Sequence, residues 1–176
     1  MNRNGRPDDP VFDASEALYR RCHPEHVDEY ERGKFRILPA AWSDLHNMSV
    51  VRGKYSQPDH ARWDSTTDPE NPAGFKPKLY RDWYVAGVQV AGIPEPIATA
   101  GGVTYSFAPT HVPFDDLYSH SEIRASKDGV RIVSQNKFKN DEVKLKYRGI
   151  LSDKAVIVLR PDQVELPAPP ELESAP

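Results

Sequence analysis

One cysteine, Cys22, stands among 176 residues, so the chain can form no internal disulfide. That usage fits a reducing compartment. No apolar run approaches the roughly 18 residues of a membrane-spanning helix. The opening Met1–Pro10 lacks the apolar core of a secretory leader. A cytoplasmic protein without a membrane partner is expected. An excess of one charge is also missing: the net charge is −3, and residues 161–176 carry Asp162, Glu165, Glu171 and Glu173 with no Lys or Arg. Residues 1–160 are therefore left at +1, which gives no general electrostatic pull toward nucleic acid. Phosphate-binding glycine patterns are absent, and Gly101-Gly102 reads as a turn. Nucleophile-elbow, His-Glu-x-x-His and kinase-like motifs are absent as well. No cofactor is expected.

What is present favours strands and turns. Seventeen prolines argue against a helical bundle, and a chain of this length can still bury a core. Three parts are expected: a flexible lead-in at 1–10, a single domain at 11–160, and a disordered acidic, Pro-rich tail at 161–176. Asp13 with Glu16 resembles a capping box, and Ala14, Leu18 and Cys22 follow at i, i+4 spacing, which predicts a first helix. Pro24 to Arg32, closed by Gly33, predicts a second. Phe35–Pro39 and Ser49–Arg52 read as short strands, and 56–78, with Pro58, Pro69, Pro72 and Pro77, as a long loop.

The second half reads as antiparallel sheet. Asp82–Val90, Val103–Phe107 and Leu117–Ser126 alternate or run apolar. Asp128-Gly129 predicts a hairpin that pairs Lys127 with Val130, Ser126 with Arg131, Ala125 with Ile132 and Arg124 with Val133. Val143, Tyr147, Ile150 and Leu151 place a helix over 140–151, and Ala155–Leu159 reads as a buried strand. The expected class is α+β: a mainly antiparallel sheet with short N-terminal helices and one late helix packed on it.

Tyr118-Ser119-His120-Ser121-Glu122-Ile123-Arg124 is the stretch richest in chemistry. As a strand it sets Tyr118, His120, Glu122 and Arg124 on one face, about 6–7 Å apart at alternate α-carbons. Glu122 as base, His120 as acid and Arg124 as phosphate holder would suit phosphodiester cleavage, as in small ribonucleases. The competing reading, which weighs more, is a polar outer face of paired charges. The hairpin adds Arg131 to that face.

Three further sets stand out. Arg131, Lys137, Lys139, Lys144, Lys146 and Arg148, interleaved with Phe138 and Tyr147, have the composition of a nucleic-acid surface, set against a plain solvated helix face balanced by Asp141 and Glu142. Cys22, His23 and His26 include metal-ligand types, but no second pair at ligand spacing exists, so no metal is expected. Trp63, within the long loop, is expected to be exposed.

Three stretches, Tyr19–His26, Met48–Ser56 and Tyr118–Ile123, resemble parts of small bacterial proteins. The resemblance covers a minor part of the chain. It implies a bacterial cytoplasmic protein and carries no fold, activity or site residue. Together these readings favour an interaction or accessory module acting through a protein partner. The alternatives are a ribonuclease-like enzyme on the His120 face and a sequence-independent nucleic-acid binder.

Overall fold

Leu18 and Cys22 lie four residues apart, a spacing that puts two side chains on one face of a helix and equally on one face of a strand. The computed structural model describes residues 7–68, 71–113 and 117–163, and in it the segment is a strand, β1 (Ala17–Cys22). Leu18 and Cys22 are both buried, and β1 lies between two neighbours in a sheet. The predicted capping chemistry is present but serves a turn. The Asp13 carboxylate accepts from the Ser15 N–H at 2.8 Å, and its carbonyl accepts from the Glu16 N–H at 3.0 Å. Glu16 does not reach back to close a capping box; it is bonded to Arg52.

The second predicted helix is also absent. Pro24–His26 is one 3-10 turn, and β2 (Val27–Glu31) and β3 (Lys34–Ile37) form a hairpin. Gly33, at φ +77°, turns this hairpin and caps no helix. The expected loop at 56–78 holds a 3-10 turn, Pro58–Arg62, and a second hairpin of β5 (Trp63–Asp68) and β6 (Asn71–Leu79). Pro72 and Pro77 are tolerated because a two-stranded ribbon asks few ladder bonds of each residue.

The main sheet has eight strands: β4 (Asn47–Arg52), β7 (Tyr84–Gln89), β8 (Ile97–Ala98), β9 (Thr104–His111), β10 (His120–Lys127), β11 (Val130–Arg131), β12 (Val156–Leu159) and β1. Their order is β12-β7-β1-β4-β10-β9-β8, with β11 on β10, and every pairing is antiparallel. The sheet curls into a half-barrel around one helix, α1 (Asp141–Lys154). The α+β expectation is therefore corrected to mainly β: among the described residues the N-terminal helices do not exist and α1 is the only α-helix.

The late helix and the hairpin stand where the periodicity and the Asp-Gly pair place them. Asn140 caps α1 by accepting from the Val143 N–H at 2.9 Å, and Val143, Tyr147 and Leu151 are buried. Tyr147 stacks on Phe107 with centroids 3.6 Å apart, and Arg148 Nε donates to the Trp42 carbonyl at 3.0 Å. Hairpin register is Ser126↔Arg131 and Lys127↔Val130, with the Ile132 N–H donated to Ala125, but the expected Arg124–Val133 pair does not form because Arg124 pairs with Asn47 of β4 and Ala108 of β9. The apolar run at 155–159 forms an edge strand, on which Val156 is 61% exposed. Residues 1–6 of the lead-in and 164–176 of the tail lie outside the described residues.

Candidate functional site

β10 sets His120, Glu122 and Arg124 in alternation, as the sequence suggests. Its neighbours commit these groups. His120 is 5% exposed and faces Val51 of β4. Its Nδ1–H donates to the Val112 carbonyl at 2.7 Å, which leaves Nε2 to face Ser49 Oγ at 3.2 Å. Both ring nitrogens are thus engaged inside the sheet, and that fixes the tautomer. Arg124 Nε donates to Glu122 at 2.8 Å, and the Arg131 guanidinium approaches the same oxygen at 3.9 Å. The predicted base is thereby held in an ion ladder along the hairpin.

Tyr118 is not part of that row. It precedes β10 in a turn, and its hydroxyl donates to the Pro7 carbonyl at 2.9 Å. Its ring meets His111 edge-on at 4.9 Å and Tyr55 at 5.0 Å.

The basic set disperses. Arg131, Lys137, Lys139 and Lys146 are exposed. Lys144 is bonded to Asp141 at 2.9 Å, and Arg148 holds the Trp42 carbonyl. Phe138 and Tyr147, the rings expected to interleave these cations, are each 0% exposed in the core. They cannot stack on bases. Burial pushes the Tyr147 phenol far above its usual range.

Cys22 is 1% exposed, and burial pushes its thiol up to about 11. Its sulfur lies 3.7 Å from the Arg20 carbonyl. His23 packs edge-on against Trp83 at 5.0 Å. Among the described residues no three His, Cys, Asp or Glu side chains gather as a metal set. Trp63 is half-buried, not exposed, because its ring N–H is sealed in the fold.

A more elaborate charged centre forms around Arg52, which the sequence reading did not single out. Arg52 is wholly buried at the end of β4. Its Nε and Nη2 take both Glu16 oxygens at 2.7 and 2.8 Å; Nη1 and Nη2 take the Asp9 and Val11 carbonyls at 2.8 and 2.6 Å. Burial alone would lower the Arg52 pKa, but the Glu16 carboxylate outweighs it and raises it. The Phe12 ring covers the guanidinium at 3.8 Å.

Beside it the Asp9 carboxylate accepts from Lys54 Nζ at 2.8 Å and from the Tyr55 hydroxyl, with Arg52 Nη1 at 3.3 Å. The Lys54 ammonium first, then the Tyr55 hydroxyl, hold that carboxyl well below the usual carboxylate range. The Asp9 N–H donates to His111 Nδ1 at 2.8 Å, so Nε2–H of His111 donates to the Tyr118 carbonyl at 2.7 Å. Residues 7–12 are thus strapped onto the sheet.

A shallow, open cleft of about 310 Å³ adjoins this centre, lined by Asp13, Glu16, Ala17, Tyr19, Gly53 and Lys54. A Cβ at Gly53 would be crowded, at 3.0 Å from the Ala17 carbonyl and 3.2 Å from the Tyr19 ring. The charges around Arg52 pair with one another, so the centre works as a clamp.

The sign of this clamp was readable in part. Met48, Val50 and Arg52 share one parity of β4, and an arginine at a core-facing position is a marked feature. Its partner Glu16 stands three residues after Asp13, where it reads as part of a helix cap, and that hides the pair. No protein family, curated protein or solved structure matches the chain. Among the described residues no helix is long and apolar enough to cross a membrane.

Proposed function

We propose that the chain is a small bacterial interaction module that acts in the cytoplasm through a protein partner and performs no catalysis. The observation that carries this reading is the state of the His120 face. A general acid must meet its substrate, and His120 is enclosed with both ring nitrogens engaged by Val112 and Ser49. The Glu122 carboxylate is paired with Arg124 along the hairpin, which supports a structural role for it.

The nucleic-acid reading through Lys137 to Arg148 loses its stacking rings to the core. A partner would instead meet exposed apolar side chains, of which Val130 at 71% and Val133 at 59% lie close in sequence after the hairpin turn.

Incubation of the purified chain with homopolymer RNA tests the reading. No cleavage above buffer is expected; cleavage abolished by Glu122→Gln would refute it. Cross-linking in a bacterial host would then yield a protein adduct that Val130→Asp with Val133→Asp weakens at least tenfold. Adducts unchanged by that pair of substitutions would displace the contact from the hairpin.

A further inference from the structure

Among the described residues two arginines, Arg52 and Arg62, are wholly enclosed, and they differ in one respect. Arg52 meets a carboxylate and two carbonyls. Arg62 is also 0% exposed, yet its Nε and both Nη atoms have no hydrogen-bond partner among the described residues. Arg62 ends the turn Pro58–Arg62, which packs on β1, β4, β7 and β12. Its chain neighbour Ala61 belongs to an apolar cluster with Val51, Val85, Val158 and Leu159.

A guanidinium carries five N–H donors and no acceptor. Leaving all of them unpaired beside aliphatic side chains is among the costliest arrangements a fold can hold. Asp59 and Asp82 act on Arg62 electrostatically, but neither accepts a hydrogen bond from it. Burial lowers its pKa, with Asp59 and Asp82 opposing, and an arginine side chain stays charged at neutral pH.

Cations and donor groups flank the neighbouring residues Trp63 and Tyr80. The Arg62 carbonyl accepts from the Tyr80 N–H at 3.0 Å, and the Trp63 carbonyl accepts from Arg21 Nη1 at 3.2 Å. Arg21 and Lys78 each sit over the Tyr80 ring, at 4.5 and 4.6 Å from its centroid. Trp63 Nε1–H, on the next residue, is a second buried donor without a partner.

We propose that Arg62 is the base of an oxyanion site, whose forked N–H donors take a phosphate or carboxylate group. The ligand supplies to Arg62 what Glu16 supplies to Arg52. Because the side chain is enclosed, binding opens the turn, and the event registers both as stabilisation and as a change at Trp63. The proposal does not rest on the function proposed above.

Inorganic phosphate and acetate, each set against sodium chloride at equal ionic strength, are titrated into the full chain while thermal unfolding is followed. At least one anion is expected to raise the Tm saturably, by about 5–10 °C at a hundredfold excess over its Kd. The larger response identifies the ligand class. Arg62→Met removes the rise, and Arg62→Lys, which keeps the charge without the fork, weakens binding at least tenfold.

In ¹H–¹⁵N spectra the Trp63 indole resonance moves with the anion. That of Trp42 stays, since its N–H is already donated to Ser152 Oγ at 3.1 Å. If Arg62→Met does not fold, Arg62→Lys and the Trp63 resonance decide. A wild-type chain that responds to neither anion beyond chloride, or a Met variant that responds as wild type does, overturns the site.

Discussion

Glu16→Ala is expected to be far more damaging than loss of a surface ion pair. The substitution leaves Arg52 0% exposed with two of its donors unpaired, because the Glu16 oxygens at 2.7 and 2.8 Å are removed. Breaking a buried pair from one side costs about 3–5 kcal/mol. The lower end applies, since the Asp9 and Val11 carbonyls still accept from Arg52. For a chain of this size that corresponds to a fall in Tm of about 6–12 °C.

Arg52→Met leaves the Glu16 carboxylate buried and strands those two carbonyls, each worth about 1–3 kcal/mol when unpaired. The double variant keeps the stranded carbonyls but leaves no unpaired charge, so the cycle should show a coupling of about 2–3 kcal/mol. Urea unfolding followed by circular dichroism at pH 7 measures all four chains. High salt should change the coupling little, because enclosed charges are poorly screened. A Glu16→Ala cost below about 1 kcal/mol with no coupling is what an exposed pair would give. That result would refute the enclosed clamp.

Acid should loosen the N-terminal strap. The folded Asp9 pKa is depressed, so its contribution is present above the unfolded value near 4 and is lost as pH falls through the lower folded value. The fall in Tm below about pH 4 should be smaller in Asp9→Asn, which thermal scans at pH 3 and 6 would show. Cys22, raised to about 11, should resist an aromatic disulfide reagent at pH 8 until urea unfolds the chain. Its contribution to stability is complete below the unfolded thiol pKa and is lost as pH rises through the folded one. Tyr147→Phe removes a buried hydroxyl that has no partner among the described residues, while the ring keeps its stack on Phe107. Unfolding free energy should hold or rise by about 1 kcal/mol; a loss of that size would mean the hydroxyl is satisfied.

The second half of the chain was the more legible. Asp128-Gly129 demands the backbone of a tight hairpin turn, and both residues take positive φ, +48° and +79°. Val143, Tyr147, Ile150 and Leu151 fall at i, i+4, i+7 and i+8, and the odd step to Ile150 fits one face of a helix and no single face of a strand. The N-terminal half misled because its signals are degenerate. Leu18 and Cys22 satisfy both periods, Asp13 caps a turn by the same bond it would use on a helix, and a glycine at positive φ ends a helix or turns a hairpin. Long-range pairing between β1 and β7 resolved the choice, and no local pattern records it.

The candidate site was half legible for a related reason. Alternation placed His120, Glu122 and Arg124 correctly along β10. What those groups do depends on Val112 and Ser49, which approach from neighbouring segments. Arg62 reads locally as an ordinary surface arginine and Arg52 as a core-facing one without a visible partner, and only the assembled sheet encloses them.

The central claim is that His120 serves the fold and no reaction. The most direct test is urea unfolding of His120→Ala, with RNA digestion by the wild-type chain run alongside. Loss of the ring strands the Val112 carbonyl and Ser49 Oγ and leaves a cavity, so stability should fall by about 2–4 kcal/mol while no wild-type cleavage exists to be lost. A His120→Ala chain as stable as wild type, paired with RNA cleavage that the substitution abolishes, would contradict the account.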